Sequence, residues 1–448
     1  MSETTINADV DSTPPVRVPP FARGPRFLQG IGYAFFRRQT IGKLAARHGS
    51  AFTLRVPVFG NMVVVTDPAL AKQVFTASTE DLGNIQPNLS RIFGPGSVFA
   101  LEGNEHRRRR KLLTPPLQGK AMKNYESIVV EETLRESASW PEGKEFETLE
   151  PMMRITLNII LRAIFGADGR ELETLRRIIP PWVTLGSRLA VLPTPTVNLG
   201  PWTPWARLTA YRAEYNTVVD TLIEMARRDP AFDHRTDVLA LLLRSTYEDG
   251  TPMSRSEIGD ELLTLLAAGH ETTASTLAWA FERISRHPEV LAQLVTEVDT
   301  EGAEPRGEFR QAVILEVQRH RTVIDFAGRH VLAPVLELGE WVIPQGYSVS
   351  VAIGQVHGNA DEFTDPDRFD PQRFMGKRPS TYCWVPFGGG TRRCVGAAFA
   401  TMEMDVVLRT VLQRFTVKTT TAHGEKWHSR GVAFTPKKGG RVTLTRRP

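Results

Sequence analysis

The 448-residue chain reads as mainly α-helical with small peripheral β-sheets. Helical periodicity runs almost unbroken from about residue 67 to 325, short apolar strand patterns gather near the two ends, and no repeat or clean linker divides the chain. Hydrophobic residues make up 41% and charged residues 23%, the balance of an ordinary globular protein. The formal net charge of +5 is too weak for a nucleic-acid footprint, so no nucleic-acid partner is expected.

The first 24 residues are polar and proline-rich, which predicts a disordered or extended arm ahead of a single domain spanning 25–448. No apolar leader and no twenty-residue apolar span is present, so neither signal peptide nor transmembrane segment is expected and the cytoplasm is the expected location. The two cysteines, Cys383 and Cys394, cannot form a disulfide framework or a CxxC-type zinc site, which fits a reducing compartment. Residues 51–66 predict two short strands about a Phe59-Gly60-Asn61 turn.

Helical patterns follow, among them KNYESIVVEETLRES, MMRITLNIILRAIF and AEYNTVVDTLIEMARR. Ser254-Arg-Ser-Glu257 is a capping box that opens a long helix, expected to run to about Arg286 before Pro288. At about 1.5 Å per residue it would be about 45 Å long and cross the whole domain. Its apolar face (Ile258, Leu262, Leu265) continues through Gly269, Thr272 and Thr276, but changes character at AAGHETTAST. Two explanations stand: close helix packing at Gly269 with back-bonded threonines, or a cleft where a flat group meets bare backbone beside Glu271 and Thr272. Residues 347–353 read as a strand and the tail 415–445 as a β-hairpin.

Cys394 stands behind Gly388-Gly389-Gly390 and ahead of a helix expected to begin near Val395, with Arg392 and Arg393 beside it. A lone cysteine is more often a small buried hydrophobe. Loop amides, a helix N-terminus and two cations all favour a thiolate instead. Phosphate-loop spacings are absent, and no local signature supports a nucleophilic cysteine. A thiolate with cations nearby suits a metal in an anionic cofactor, and thiolate-ligated haem fits.

Phe387-Gly-Gly-Gly390-Thr-Arg392-Arg-Cys394-Val-Gly396 matches the haem-ligand signature FxxGx[RH]xCxG of the cytochrome P-450 monooxygenases. Ala268-Gly269-His-Glu271-Thr272-Thr273 resembles that family's oxygen-activation segment, and Glu316-Val-Gln-Arg319 its Glu-x-x-Arg motif. Phe369-Asp-Pro-Gln-Arg373-Phe374 resembles the segment whose arginine joins that pair, and His106 through Arg110 the His-x-x-x-Arg of the haem propionates. The five stand in the family's order, so the chain is identified as a member, soluble bacterial type.

The resemblance implies a long central helix crossing over a buried haem b, with Cys394 as the iron ligand. It implies Phe387, Gly388 and Gly396 around the thiolate, Ala268 and Gly269 against the cofactor, and His106, Arg110, Arg329 and Arg392 at the propionates. Arg107 with Lys111 has the same spacing as His106 with Arg110, which leaves the register in that run open. Glu316, Arg319 and Arg373 should form a structural network, with Arg368 as an alternative third member. Glu271 should relay protons and Thr272 orient water and oxygen.

The implied reaction inserts one oxygen atom of O2 into a lipophilic substrate. No flavin or iron–sulfur motif is present, so electrons are expected from an acidic ferredoxin or flavodoxin, steered by Arg107–Lys111, Arg392 and Arg393. A peroxide-using enzyme and a haem-based sensor without turnover are the alternatives. Trp202 and Trp205, in the proline-rich 190–207 segment, belong to an access lid or to a peripheral membrane contact.

Overall fold

The structure, a computed structural model, describes residues 15–85, 88–166, 169–190, 192, 200–301, 307–377 and 379–448. Helices dominate and the sheets are small. The long helix, Arg255–Ile284, opens at the Ser254/Glu257 capping box. It stops two residues short of the expected end, and Pro288 begins the next helix, Pro288–Glu301, where its missing N–H costs nothing. Between Ile258 and Ile284 it is buried on every side except at Ala268, Gly269 and Thr272. A helix so enclosed is the centre of a large core, and its principal neighbour is the helix Leu149–Phe165.

The larger sheet runs, edge to edge, through Ala51–Val56, Gly60–Val65, Ser348–Ala352, Phe326–Val331 and Leu82–Asn84. Gly60–Val65 and Ser348–Ala352 pair in parallel, with Val63 opposite Val349; the other pairings are antiparallel. The turn about Gly60 has φ +69, which glycine adopts without strain.

Residues 1–14 lie outside the described residues, and the rest of the expected arm runs as extended chain: Arg17 bridges Val342, Phe21 bridges Thr53, and the Thr53 hydroxyl donates to the Pro19 carbonyl at 2.7 Å. Extended chain with prolines supplies free carbonyls to a sheet edge, which composition alone does not reveal. The tail is not one hairpin. Trp427–Ser429 and Phe434–Pro436 form a small hairpin, whereas Arg441–Arg446 pairs with Phe415–Val417 and with Glu145–Glu147 from far upstream.

Candidate functional site

The cysteine loop is shaped by its glycines. Gly388 and Gly390 have φ +64 and +65, and a side chain at Gly390 would run into the carbonyl oxygen of Phe75. A Cβ at Gly389 would stand 2.6 Å from the Phe75 ring. The loop therefore packs bare backbone against the helix Pro68–Thr76 and closes with the Cys394 N–H donating to the Phe387 carbonyl at 2.9 Å. The Phe387 ring meets Trp384 edge-on at 6.2 Å, and the Arg393 guanidinium lies over it at 5.9 Å. The following helix begins at Ala397, with Gly396 as its N-cap, slightly later than expected.

Cys394 is exposed, with Arg393 and Arg110 near enough to act on its sulfur. The Gly396 amide donates to the sulfur, and Arg393 and Arg110 add favourable field. Burial outweighs all three and pushes the thiol above its ordinary value. The amide and the two arginines thus act in the direction expected of the loop, toward thiolate, while burial acts against them.

Around the cysteine stands a group of cations. His106 and Arg110 lie one turn apart on the helix Gly103–Leu113, Arg329 on the strand Phe326–Val331, and Arg392 just before the cysteine. None of the three arginines makes an ion pair among the described residues; Arg392 donates to the Leu101 carbonyl at 2.7 Å and Arg329 to the Gly328 carbonyl at 2.7 Å. Burial, then the positive field of Arg392, Arg110 and Arg329, drives His106 down to about 3. Burial and Arg392 lower Arg329 to about 10. Mutually repelling, half-desolvated cations, with Glu102 acting on Arg392 as the one carboxylate recorded for them among the described residues, fit a dianionic group such as a pair of carboxylates. Thiol, cations and bare-backbone loop together fit haem.

The register of the basic run follows from its neighbours. Arg107 turns to Thr79 at 2.9 Å, Arg108 pairs with Asp249 at 2.6 Å, Lys111 pairs with Glu248, and Arg109 is buried against Glu257 and Glu261. Arg110 is the member that interacts with Cys394. The run is therefore not the continuous basic face expected of it: three of its cations are already matched by carboxylates.

On the long helix, Ala268, Gly269 and Thr272 share the open face. A methyl at Gly269 would meet Ile160 at 3.3 Å, so close helix packing is what this glycine permits. The Thr272 and Thr276 hydroxyls donate back to the Ala268 and Thr272 carbonyls at 2.8 and 2.9 Å. The first of the two explanations for the change of face thus holds, and the open face coexists with it. His270 is buried and hydrogen-bonded to the Leu266 carbonyl.

Glu271 is buried and ion-paired with Arg430 at 2.7 Å; Arg430 also donates to the Thr184 hydroxyl at 3.0 Å. A cavity of about 50 Å³ beside this pair is lined by Glu150, Met153, Pro180, Val183, Thr184 and His270, room enough for water next to a carboxylate.

Glu316, Arg319 and Arg373 come together. Arg319 grips Glu316 in a two-pronged pair at 2.7 and 2.8 Å, Arg373 approaches the same carboxylate at 3.3 Å, and Arg368 contributes only its carbonyl. Arg319 also donates to the His357 carbonyl at 2.9 Å. His357 accepts the Val385 N–H on Nε2, which ties the network to the strand of chain leading into the cysteine loop.

Three residues of the site escaped the sequence reading. Arg430 sits in a polar loop, and only its fold-back onto Glu271 marks it. Glu403 interrupts the apolar helix Ala397–Arg414; it is wholly buried, with Thr273 its one recorded polar neighbour, and burial holds its carboxyl far above the carboxylate range. A carboxylate in VGAAFATMEMDVVL was a legible signal. His357 had none. The tryptophan pair divides: Trp205 is buried beneath Arg91, whereas Trp202 is exposed, and residues 191 and 193–199 of that segment lie outside the described residues.

Among known families, the model described as cytochrome P450 matches residues 19–443. A protein designated cytochrome P450 138 in Mycobacterium tuberculosis and Mycobacterium bovis is 65% identical over 447 residues, covering 100% of both chains. Cytochrome P450 135B1 of Mycobacterium tuberculosis is 39% identical over 94% of this chain and 90% of its own. The solved structure titled retinoic acid bound cyanobacterial CYP120A1 superposes with a TM-score of 0.85 at 22% identity, over 97% of this chain and 100% of that one. The haem domain of cytochrome P450DA gives 0.83 at 23%, over 97% and 98%.

Proposed function

The chain belongs to the cytochrome P450 family of haem-thiolate monooxygenases, and from that premise we propose that it inserts one oxygen atom of O2 into a lipophilic organic substrate, using electrons from a separate acidic ferredoxin or flavodoxin. The carrying observation is the close group of partly buried arginines, none in an ion pair among the described residues, around Cys394 and the buried His106. Residues 25–448 act as one domain, in the cytoplasm. Among the described residues no helix is long and apolar enough to cross a membrane.

Haem, when bound, supplies the redox chemistry, in which one oxygen atom leaves as water and the other enters a C–H bond. Cys394 would provide the thiolate ligand, moderated by the Gly396 amide. Arg110, Arg329 and Arg392 would hold the propionates, and His106 would join them as a neutral donor. Ala268 and Gly269 offer a low wall to the cofactor. Glu271 exchanges protons with water in the small cavity beside it, and its bond to Arg430 has to loosen for the carboxylate to turn. The Thr272 hydroxyl, which donates to the Ala268 carbonyl, keeps lone pairs free to accept a proton-carrying water. The Glu271–Thr272 pair favours dioxygen over peroxide or a sensor role. A lipophilic substrate is supported by apolar Leu265, Val323, Ile324 and Val432, with the tail joined to Val323 by the Phe434 N–H at 2.9 Å.

The spectrum of the purified protein, reduced under carbon monoxide, tests this reading. A Soret band at the thiolate-ligated position, lost in Cys394→His, is expected. Turnover of a spectral-shift hit with reduced carrier and O2, but not with peroxide, is expected next. Equal turnover with peroxide would overturn the dioxygen part alone.

A further inference from the structure

The helix Arg26–Phe35 is built the wrong way round for a soluble surface. Phe27, Leu28, Ile31 and Phe35, with Phe36 just beyond, are 61, 52, 45, 63 and 58% exposed. Their i, i+4, i+8 spacing puts Phe27, Ile31 and Phe35 on one stripe. Large apolar side chains scattered singly need no explanation, but a contiguous patch marks something that covers it.

The helix cannot roll this face inward, because its other side is fastened. Gln29 donates to the Ala22 and Gly24 carbonyls at 3.1 and 2.9 Å and accepts the Arg55 N–H at 2.8 Å. Tyr33 is buried edge-on to Phe59 and Phe326, at 5.9 and 6.2 Å. A Cβ at Gly30 would strike Pro57, so the helix already lies as close to the sheet as it can.

Charge decides the occupant. From residue 12 to 66 the chain has no Asp or Glu and eight Arg or Lys. Arg23, Arg26, Lys43 and Arg47 are exposed and make no ion pair among the described residues. A second copy meeting the same patch about a two-fold axis would set these cations against themselves. Residues 1–14 hold Glu3, Asp9 and Asp11 but few apolar side chains, too few to match the stripe. Exposed Phe, Leu and Ile flanked by unpaired arginines fit an anionic lipid interface, where rings and aliphatic chains sink to the acyl boundary and cations stay at the headgroups.

We infer that the helix Arg26–Phe35 docks the enzyme on the surface of an anionic membrane. The docking is peripheral and reversible, since ten residues lie along the interface rather than span it. It does not depend on the proposed reaction, and it assigns the membrane contact to this helix rather than to the 190–207 segment.

Flotation of the haem-loaded full chain on vesicles tests it. The protein is expected to float with equal parts phosphatidylcholine and phosphatidylglycerol, to stay behind with phosphatidylcholine alone, and to detach as salt rises. Phe27→Ser/Phe35→Ser should lower the partition coefficient at least about tenfold, as should Arg23→Gln/Arg26→Gln on the anionic vesicles. Both pairs face solvent, so thermal unfolding should be unchanged and a folding defect is separable. Failure to float with either vesicle, or flotation abolished by Trp202→Ser and untouched by the phenylalanine pair, would overturn the inference. So would self-association, or capture of an acidic carrier protein, that the phenylalanine pair relieves while vesicle binding persists.

Discussion

Glu316 shows how a single carboxylate can be indispensable without touching the chemistry. It is wholly buried and shared by Arg319, Arg373 and the Asp370 N–H. Removing one partner of a buried pair strands the other, at a cost of about 3–5 kcal/mol. Glu316→Gln is therefore expected to lower the denaturant midpoint by that order, with an unchanged carbonyl spectrum in whatever fraction stays folded. His357 gives a pH prediction. Burial first and Arg319 second drive it down to about 3, and its Nε2 is occupied in accepting from Val385. A histidine lowered on folding binds its proton in the unfolded chain first, so stability is full above the unfolded value near 6.5 and is lost as pH falls toward about 3. By about pH 5 this residue alone should remove about 2 kcal/mol, read as a falling thermal midpoint.

The cysteine loop is the element whose shape leaves least room for change. Gly390 combines a left-handed φ of +65 with backbone contact to Phe75, so no side chain fits. Gly390→Ala is expected to give a protein that retains little haem after gel filtration, whereas Gly376→Ser, at a positive-φ turn with no neighbour in the way, should retain it. The tail hairpin braces the long helix at several points: Trp427 packs on Trp279 at 4.9 Å, the Trp279 indole N–H donates to the Phe434 carbonyl at 3.3 Å, and Arg430 pairs with Glu271. Arg430 ties Glu271 to the helix Arg170–Ala190 through Thr184. Arg430→Gln leaves a buried carboxylate without its cation; a loss of about 1–3 kcal/mol is expected, and a double-mutant cycle with Glu271→Gln should return most of it as coupling.

Across the whole molecule, charge is more thoroughly paired than composition implies. Arg108, Arg109 and Lys111 are neutralised in place, leaving Arg107 and Arg393 as the exposed cations near the cysteine. The rate of reduction by an acidic carrier should fall as salt rises from about 0.05 to about 0.5 M, and Arg107→Gln/Arg393→Gln should flatten that dependence where Arg108→Gln does not. The long helix, its capping box, the first two strands and the cysteine loop were legible because each is written locally, in spacing, caps and glycines. Even Glu316 could be expected to seek arginines, since an apolar run announces burial. The register of 107–111, the pairing of Glu271 with Arg430 and the division of the tail between sheets were not legible, because each depends on which distant segment arrives beside it. Sequence alone determined the cofactor class and the central helix. Only the tertiary structure decided which cations remain unpaired and which apolar side chains remain uncovered, because burial and charge balance are sums over neighbours that the chain brings together only on folding.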